Sequence, residues 1–121
     1  MSAEVLIVEN EEHESRLYEL EFRDAGYEVR VANDADTALR LVREKRPDVV
    51  VLDINMPGKD GLELLGELLD YDRTLPVVLN TAYAEYQEKF RSWSAAAYVV
   101  KGSDVSELLD TVRNVLEGVG Q

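Results

Sequence analysis

The sequence predicts an α/β fold in which five parallel strands alternate with five helices. Five short apolar runs are spaced along the chain, and each is followed by a stretch with the periodicity of an amphipathic helix. Connections between parallel strands are right-handed, which places helices on both faces of the sheet. Periodicity alone does not fix the strand order, but the order 2-1-3-4-5 agrees with the first, third and fourth runs being the most apolar. The predicted strands cover residues 4–8, 27–32, 49–53, 76–80 and 95–100.

Capping and helix-breaking residues mark the ends of the predicted helices. Gly26 is expected to end the first helix, because glycine readily adopts the left-handed conformation found after a helix C-terminus. Asn33 or Asp34 is expected to cap the second helix, and Ser103 or Asp104 the last one. Three predicted helices cover residues 11–25, 62–69 and 85–93. The second helix is predicted to run from its cap at 33 or 34 to 46, and the last one from its cap at 103 or 104 to the frayed tail that begins at Gly118.

The spacing of apolar residues predicts which face of the terminal helices packs on the sheet. In the first helix, Leu17 and Leu20, with Tyr18 and Ala25, are predicted to form the inner stripe. The inner stripe of the last helix is predicted to comprise Leu108, Leu109, Val112 and Leu116.

Composition limits the classes of partner and environment. A chain of 121 residues with 45% hydrophobic residues is expected to form a single domain over residues 1–121, with no output domain. The net charge of −12 repels phosphate backbones and anionic lipids, so direct binding to nucleic acid or to a membrane is not expected. Cysteine is absent, which is typical of a cytoplasmic protein.

Polar side chains stand where the predicted strands end. Glu9 and Asn10 follow the first strand, Asp53 ends the third, Thr81 follows the fourth and Lys101 follows the fifth. The carboxyl ends of parallel strands share one edge of a sheet, which is where ligands bind in such folds. Oxygen ligands of this kind suit Mg²⁺. Asp53 is therefore a candidate nucleophile that forms an aspartyl phosphate, with Lys101 and Thr81 stabilising the transferred phosphoryl group.

Four segments, each at a strand end, resemble the receiver domain of two-component response regulators. The resemblance extends over essentially the whole chain, and the middle segment is similar to that of single-domain chemotaxis regulators. It implies a flavodoxin-like (βα)5 fold with strand order 2-1-3-4-5. It also implies that Asp53 accepts a phosphoryl group from a histidine kinase or phosphotransfer protein, with Mg²⁺ or Mn²⁺ required. The segments are residues 5–11, 52–65, 79–82 and 98–101.

The resemblance assigns further roles to individual residues. Glu9 and Asn10 would help to bind the metal, and Asn55 would supply a backbone carbonyl ligand. Thr81 is the hydroxyl residue of the switch and Tyr98 its aromatic residue. A downstream protein would bind the face made by the fourth predicted helix, the fifth strand and the fifth predicted helix. Such a domain is no enzyme beyond its own phosphorylation and slow autodephosphorylation.

The chain departs from the family pattern at three places. Asn10 stands where receivers usually have a metal-binding aspartate, so one negative charge is lost and metal affinity is expected to fall. Gly102 stands where proline usually follows the lysine, and a trans peptide bond is expected because a cis bond before a non-proline residue costs about 2.5–4 kcal/mol. Ser94 and Ala95 replace the usual Gly-Ala, and the fourth helix is expected to be short or irregular.

Two other classes of function are open at this stage. Asn10 and Gly102 favour a pseudo-receiver, an interaction module that its partner recognises without phosphorylation. A phosphatase of the haloacid-dehalogenase type also uses an aspartate nucleophile after a strand. That class usually has an acid two residues further on, where this chain has Asn55, and the chain is too short to include a cap domain.

Overall fold

The apolar runs form one parallel sheet with helices on both faces. The computed structural model describes residues 2–55, 61–82, 84, 93–102 and 104–118. Strand order is β2-β1-β3-β4-β5, which confirms the predicted flavodoxin-like fold and its order. In chain order the elements are β1 (Glu4–Val8), α1 (Glu12–Asp24), β2 (Glu28–Ala32), α2 (Ala35–Glu44), β3 (Val49–Leu52), α3 (Gly61–Tyr71), β4 (Val77–Thr81), β5 (Ala97–Val100) and α4 (Ser106–Leu116).

Five helices were expected from the sequence, and four of them fall within the described residues. Helix α4 is the last of the five predicted helices. The predicted helix over residues 85–93 lies outside the described residues apart from Trp93. Among the described helices, none is long and apolar enough to cross a membrane.

The three central strands β1, β3 and β4 are buried on both faces, so each one contributes to two cores. Leu6 and Val8 of β1 belong to the core that includes α2 and α3. Val5 and Ile7 belong to the core that includes α1 and α4. Side chains alternate along a strand, which explains why a continuous apolar run is needed at the centre of this sheet.

The inner face of α1 differs from the predicted stripe. Leu17 and Leu20 are 45% and 67% exposed, and Ala25 is also exposed. Tyr18 and Phe22 are buried instead, at 7% and 0% exposure. A helix can turn only one stripe toward a sheet, and the stripe with the two aromatic rings buries more apolar surface than the stripe with two leucines. The prediction was therefore wrong for Leu17, Leu20 and Ala25 and right for Tyr18.

Helix ends show which of the alternative caps are used. The Asp34 carboxylate accepts a hydrogen bond of 2.8 Å from the Thr37 backbone N–H and caps α2. For the last helix, the residue at the N-cap position is Val105, which has no side-chain cap. Asp104 nevertheless accepts a hydrogen bond of 2.8 Å from the Ser106 backbone N–H, while Ser103 lies outside the described residues.

Gly61, at the start of α3, is predicted to tolerate no side chain. Its backbone N–H donates to the Ile54 carbonyl at 3.1 Å, and an added Cβ would lie 2.7 Å from that carbonyl carbon and oxygen. Backbone atoms cannot rotate away as a side chain can, so Gly61→Ala is expected to lower the free energy of unfolding by about 2–3 kcal/mol. Urea denaturation measures this change.

The matched control for Gly61→Ala is Gly66→Ala in the same helix. Gly66 is exposed, and an added Cβ there meets nothing within 4 Å. Alanine is the better helix former, so Gly66→Ala is expected to leave stability unchanged or to raise it by up to about 1 kcal/mol. Equal stabilities of the Gly61→Ala and Gly66→Ala variants would contradict the close contact with Ile54.

Candidate functional site at the carboxyl edge of the sheet

Two buried carboxylates lie side by side because they follow adjacent central strands. Glu9 comes directly after β1 and Asp53 directly after β3, and the last residues of these strands, Val8 and Leu52, are paired. The Asp53 backbone N–H donates to the Val8 carbonyl at 3.1 Å, which continues the ladder past the strand ends. Glu9 is 1% exposed and Asp53 6% exposed. The main chain thus holds both acids in a largely dehydrated position.

The ammonium group of Lys101 joins three carboxylates. Its Nζ donates to Glu9 Oε1 at 2.8 Å, to Asp53 Oδ2 at 2.9 Å and to Glu14 Oε2 at 3.0 Å. The Lys101 backbone N–H donates to the Thr81 carbonyl at 2.8 Å, which fixes the lysine at the end of β5. An ammonium group has three N–H donors, so these contacts use all of them. We call these four side chains the Lys101 cluster.

Burial and hydrogen bonding have opposite effects on the pKa values of Glu9 and Lys101. Burial raises the pKa of Glu9 above its usual value, against the opposing effect of its hydrogen bonds to Lys101 and to the Glu11 backbone. Burial works against a charged amine at Lys101, but hydrogen bonds to the three carboxylates outweigh it and hold the pKa of Lys101 above its usual value. With all members ionised, the cluster has an excess of negative charge that favours a cation.

An open cleft of about 490 Å³ lies above Asp53. The second carboxylate oxygen of Asp53 accepts from the Asn55 backbone N–H at 3.0 Å, and that of Glu9 accepts from the Glu11 backbone N–H at 3.1 Å. Both acids are therefore held by one ammonium and one backbone donor each. The lining residues are Glu9, Asn10, Glu11, Glu14, Asp53, Asn55, Ala82 and Lys101.

The donors that line this cleft fit Mg²⁺ in their chemistry. Carboxylates of Glu9 and Asp53, the carboxamide of Asn10 and the backbone carbonyl of Asn55 are all hard oxygen ligands. Mg²⁺ usually takes one or two carboxylates and keeps several waters, so it needs no complete cage of protein ligands. Across the described ranges, no three acidic or histidine side chains form a metal-binding group of their own. Lys101 lies between Glu9 and Asp53, and the side chain of Asn10, which also lines the cleft, is neutral.

The two predicted switch residues are both buried, and neither of them lines the cleft. Thr81, the last residue of β4, is fully buried, and its neighbour Ala82 lines the cleft instead. Tyr98 on β5 is 7% exposed and belongs to the core on the α2 and α3 side of the sheet. In this structure the aromatic ring of Tyr98 is therefore already turned into the protein.

Two of the departures from the family pattern have visible structural outcomes. The described peptide bonds are all trans, which confirms the expected trans bond between Lys101 and Gly102. Ser94 has a φ of +62°, in the left-handed region that glycine occupies most easily. Ser94 thus adopts a backbone conformation that is less strained for glycine, the usual residue at this position.

Sequence reasoning missed two polar contacts beside the site. Glu14 was not singled out, although it lies in the first turn of α1, which begins at the cleft edge of the sheet after Asn10 and Glu11. Tyr18, counted only as an apolar residue, shares a hydrogen bond with the buried Asn80, and burial raises the pKa of its hydroxyl. An asparagine inside the apolar run of β4 was the available signal for this pair.

Comparison with known proteins identifies the family. Residues 5–113 match the response regulator receiver domain. The chain belongs to this family. As a receiver domain of two-component signal transduction, it is a module that accepts a phosphoryl group from a kinase. This confirms the resemblance noted from the four strand-end segments.

Curated relatives of this receiver differ in length. Regulatory protein AtoC of Escherichia coli is 37% identical over 115 residues, which are 93% of this chain and 25% of AtoC. The polar-differentiation response regulator DivK of Brucella anthropi is 34% identical over 120 residues, which are 96% of this chain and 98% of DivK. The chain thus spans about a quarter of one relative and nearly all of the other.

Solved structures of a related receiver contain a ligand or a partner. The response regulator TrrA of Thermotoga maritima, in complex with Mg²⁺-BeF, has a TM-score of 0.88 and 35% identity, and the match covers 95% of this chain and 99% of TrrA. TrrA in complex with histidine kinase ThkA has a TM-score of 0.87 and 35% identity, with 96% and 99% covered.

Proposed function

We propose that Asp53 is the phosphoryl acceptor of this receiver. The observation that carries the proposal is the 2.9 Å contact between the Asp53 carboxylate and Lys101 Nζ at the base of an open cleft. An Asp53 oxygen attacks the phosphorus of a phosphohistidine, the new O–P bond forms, and the P–N bond breaks as the imidazole leaves and takes up a proton. Lys101 stays charged and pairs with a phosphoryl oxygen, which disperses the charge that develops during transfer.

Glu9, Asn10, Asp53 and the backbone carbonyl of Asn55 are the residues that would hold Mg²⁺, or Mn²⁺ in its place. When bound, the cation supplies positive charge next to the phosphoryl oxygens. The donor chemistry of the cleft and the Mg²⁺-BeF complex of TrrA support this assignment. Asn10 provides a neutral ligand, so the affinity for the metal is expected to be lower than with an aspartate at this position.

The response to phosphorylation is proposed to pass through Thr81 and Tyr98. The Thr81 hydroxyl would donate a hydrogen bond to a phosphoryl oxygen, and the displacement of Thr81 would change the packing around Tyr98 in the neighbouring strand. Thr81 pairs with Val100, and Tyr98 lies two residues before Val100, which supports a link between the two. A downstream protein would bind the face that includes β5 and α4. The predicted helix over residues 85–93, which would complete this face, lies outside the described residues apart from Trp93.

The proposed setting of this receiver is the cytoplasm. The phosphodonor would be a histidine kinase or phosphotransfer protein, as the ThkA–TrrA complex suggests by analogy. The net charge of −12 argues against direct contact with nucleic acid or an anionic membrane. The chain would catalyse only its own phosphorylation and slow dephosphorylation.

Intact mass spectrometry after incubation with acetyl phosphate tests the proposal. The expected result is a gain of one phosphoryl group in the presence of Mg²⁺ and no gain in the presence of a chelator. Reduction of the acyl phosphate with borohydride then marks the modified residue, which is expected to be Asp53.

No mass gain even at high Mg²⁺ concentration would overturn the proposal and favour the pseudo-receiver, for which Asn10 is the supporting feature. The Asn10→Asp variant is the companion sample, since it restores the acid that receivers usually have. Turnover of a generic phosphate ester by the wild-type protein would instead favour a phosphatase.

A further inference from the structure

We propose that Glu14 is a positioning residue of this site, an exchangeable ligand that holds Lys101 before phosphorylation and releases it afterwards. The inference rests on the proposed role of Asp53 as acceptor. It concerns the one member of the Lys101 cluster that comes from a helix, since Glu14 lies on α1.

The three carboxylates around Lys101 differ in how easily each can leave. Side chains of Glu9 and Asp53 are 2% and 7% exposed, and each also accepts a backbone hydrogen bond. The side chain of Glu14 is 37% exposed and lies at the wall of the cleft. Losing Lys101 would leave a buried carboxylate without its counter-ion, which is costly, whereas Glu14 can turn into water. Glu14 is therefore the ligand that Lys101 gives up most easily.

Phosphorylation of Asp53 adds phosphoryl oxygens that can accept a hydrogen bond from Lys101. All three N–H donors of Lys101 are occupied at 2.8, 2.9 and 3.0 Å. A phosphoryl oxygen can be bound only if one of these contacts opens. The added negative charge also repels the Glu14 carboxylate. Both effects favour exchange of Glu14 for a phosphoryl oxygen on Lys101.

It follows that Glu14 competes with the phosphoryl group. Removing its charge while keeping its shape should favour the phosphorylated form. A partly exposed ion pair of this kind has a modest strength, so Glu14→Gln is expected to bind a phosphoryl analogue about fivefold more tightly than the wild type. A residue that served only to stabilise the fold would not produce tighter binding.

The test is the affinity of the full chain for beryllofluoride at saturating Mg²⁺, measured by titration of backbone amide NMR signals. Four proteins are compared: wild type, Glu14→Gln, Glu14→Asp and Glu12→Gln. Glu12 precedes Glu14 on α1 and pairs with Arg16 in solvent, with a side chain 75% exposed, so Glu12→Gln removes the same charge without touching Lys101. Glu14→Asp keeps the charge but shortens the reach, so it is expected to bind more tightly than the wild type as well.

A second measurement detects the contact between Glu14 and Lys101 in the absence of metal and beryllofluoride. The ¹⁵N signal of the Lys101 ammonium group is expected to shift in both Glu14 variants and to stay in place in Glu12→Gln. Unchanged or weaker beryllofluoride binding by Glu14→Gln, or equal tightening by Glu12→Gln, would overturn the inference while leaving Asp53 as acceptor. A wild-type chain that binds no beryllofluoride would overturn the proposed function and this inference with it.

Discussion

The Asp53→Asn variant is expected to gain no phosphoryl mass under conditions in which the wild-type receiver gains one. The carboxamide has nearly the same shape as the carboxylate, but its oxygen carries no full negative charge and is a poor nucleophile toward phosphorus. Lys101 keeps its contacts of 2.8 and 3.0 Å with Glu9 and Glu14, so the surroundings of the acceptor are preserved. Intact mass after incubation with acetyl phosphate and Mg²⁺ measures the loss, which should reach background.

The control is the same Asp-to-Asn substitution at a position away from the cleft, which tests whether the loss of phosphoryl uptake is specific to Asp53. Asp36→Asn changes an exposed aspartate in the first turn of α2 and is expected to leave phosphoryl uptake intact. Denaturation of both variants verifies that they are folded. Continued uptake by Asp53→Asn would mean that another carboxylate in the cleft, such as Glu11 or Glu14, accepts the phosphoryl group.

The Lys101→Met variant is expected to lose about 3 kcal/mol of unfolding free energy at pH 7. Methionine replaces the stem of the lysine, but the ammonium group that joins three carboxylates is gone. Two of these carboxylates, Glu9 and Asp53, are buried and would face each other without a counter-ion. The estimate lies at the lower end for a broken buried ion pair because the cleft is open to water. Guanidinium denaturation measures the loss.

The stability of Lys101→Met is also expected to depend on pH in a definite direction. Burial already raises the pKa of Glu9, and the hydrogen bond to Lys101 opposes that rise. Without the ammonium group the pKa of Glu9 rises further, so the folded variant binds more protons than the unfolded one. Stability then increases as the pH falls, and the deficit relative to the wild type should narrow from pH 7 to about pH 5.

In the wild type, the contribution of Lys101 to the free energy of unfolding changes only at alkaline pH. Its pKa is raised in the folded state, so its stabilising effect is complete below the pKa of an unfolded lysine and is lost only at higher pH. Lys101 is therefore charged throughout the range compared. The control is Lys45→Met, whose side chain is 66% exposed and lies 3.5 Å from Glu4, and which should cost less than about 1 kcal/mol at either pH. Equal stability of wild type and Lys101→Met at pH 7 would contradict the charge pairing described.

The meeting of Asp53, Glu9 and Lys101 could be predicted because it depends on strand ends, whereas the strand order was predicted from the apolarity of the first, third and fourth runs and from the family resemblance. A continuous apolar run followed by a charged residue defines such an end, and parallel strands bring these ends to one edge. The sequence therefore contained the information that joins Lys101 to Asp53 across 48 residues.

The rotation of α1 and its consequences could not be predicted in the same way. Two apolar stripes compete on that helix, and only packing against the sheet decides that Tyr18 and Phe22 face inward. The same rotation brings Glu14 to Lys101 and the Tyr18 hydroxyl to Asn80. The complete burial of Thr81 likewise depends on tertiary packing and not on its position after an apolar run.

The register of the sheet limits insertions and deletions more strictly within the strands than in the turns. Thr81 pairs with Val100 and Val8 with Leu52, so the residues that follow these strands reach the cleft in fixed positions. Side chains alternate between the two faces of a sheet, so a single inserted or deleted residue within β5 would turn Lys101 toward the opposite face. An insertion of one residue in a turn at the opposite edge of the sheet, where the strands begin, leaves the Lys101 cluster in place. Relatives that differ in length are therefore expected to differ in the turns opposite the cleft and not within the strands that end at it.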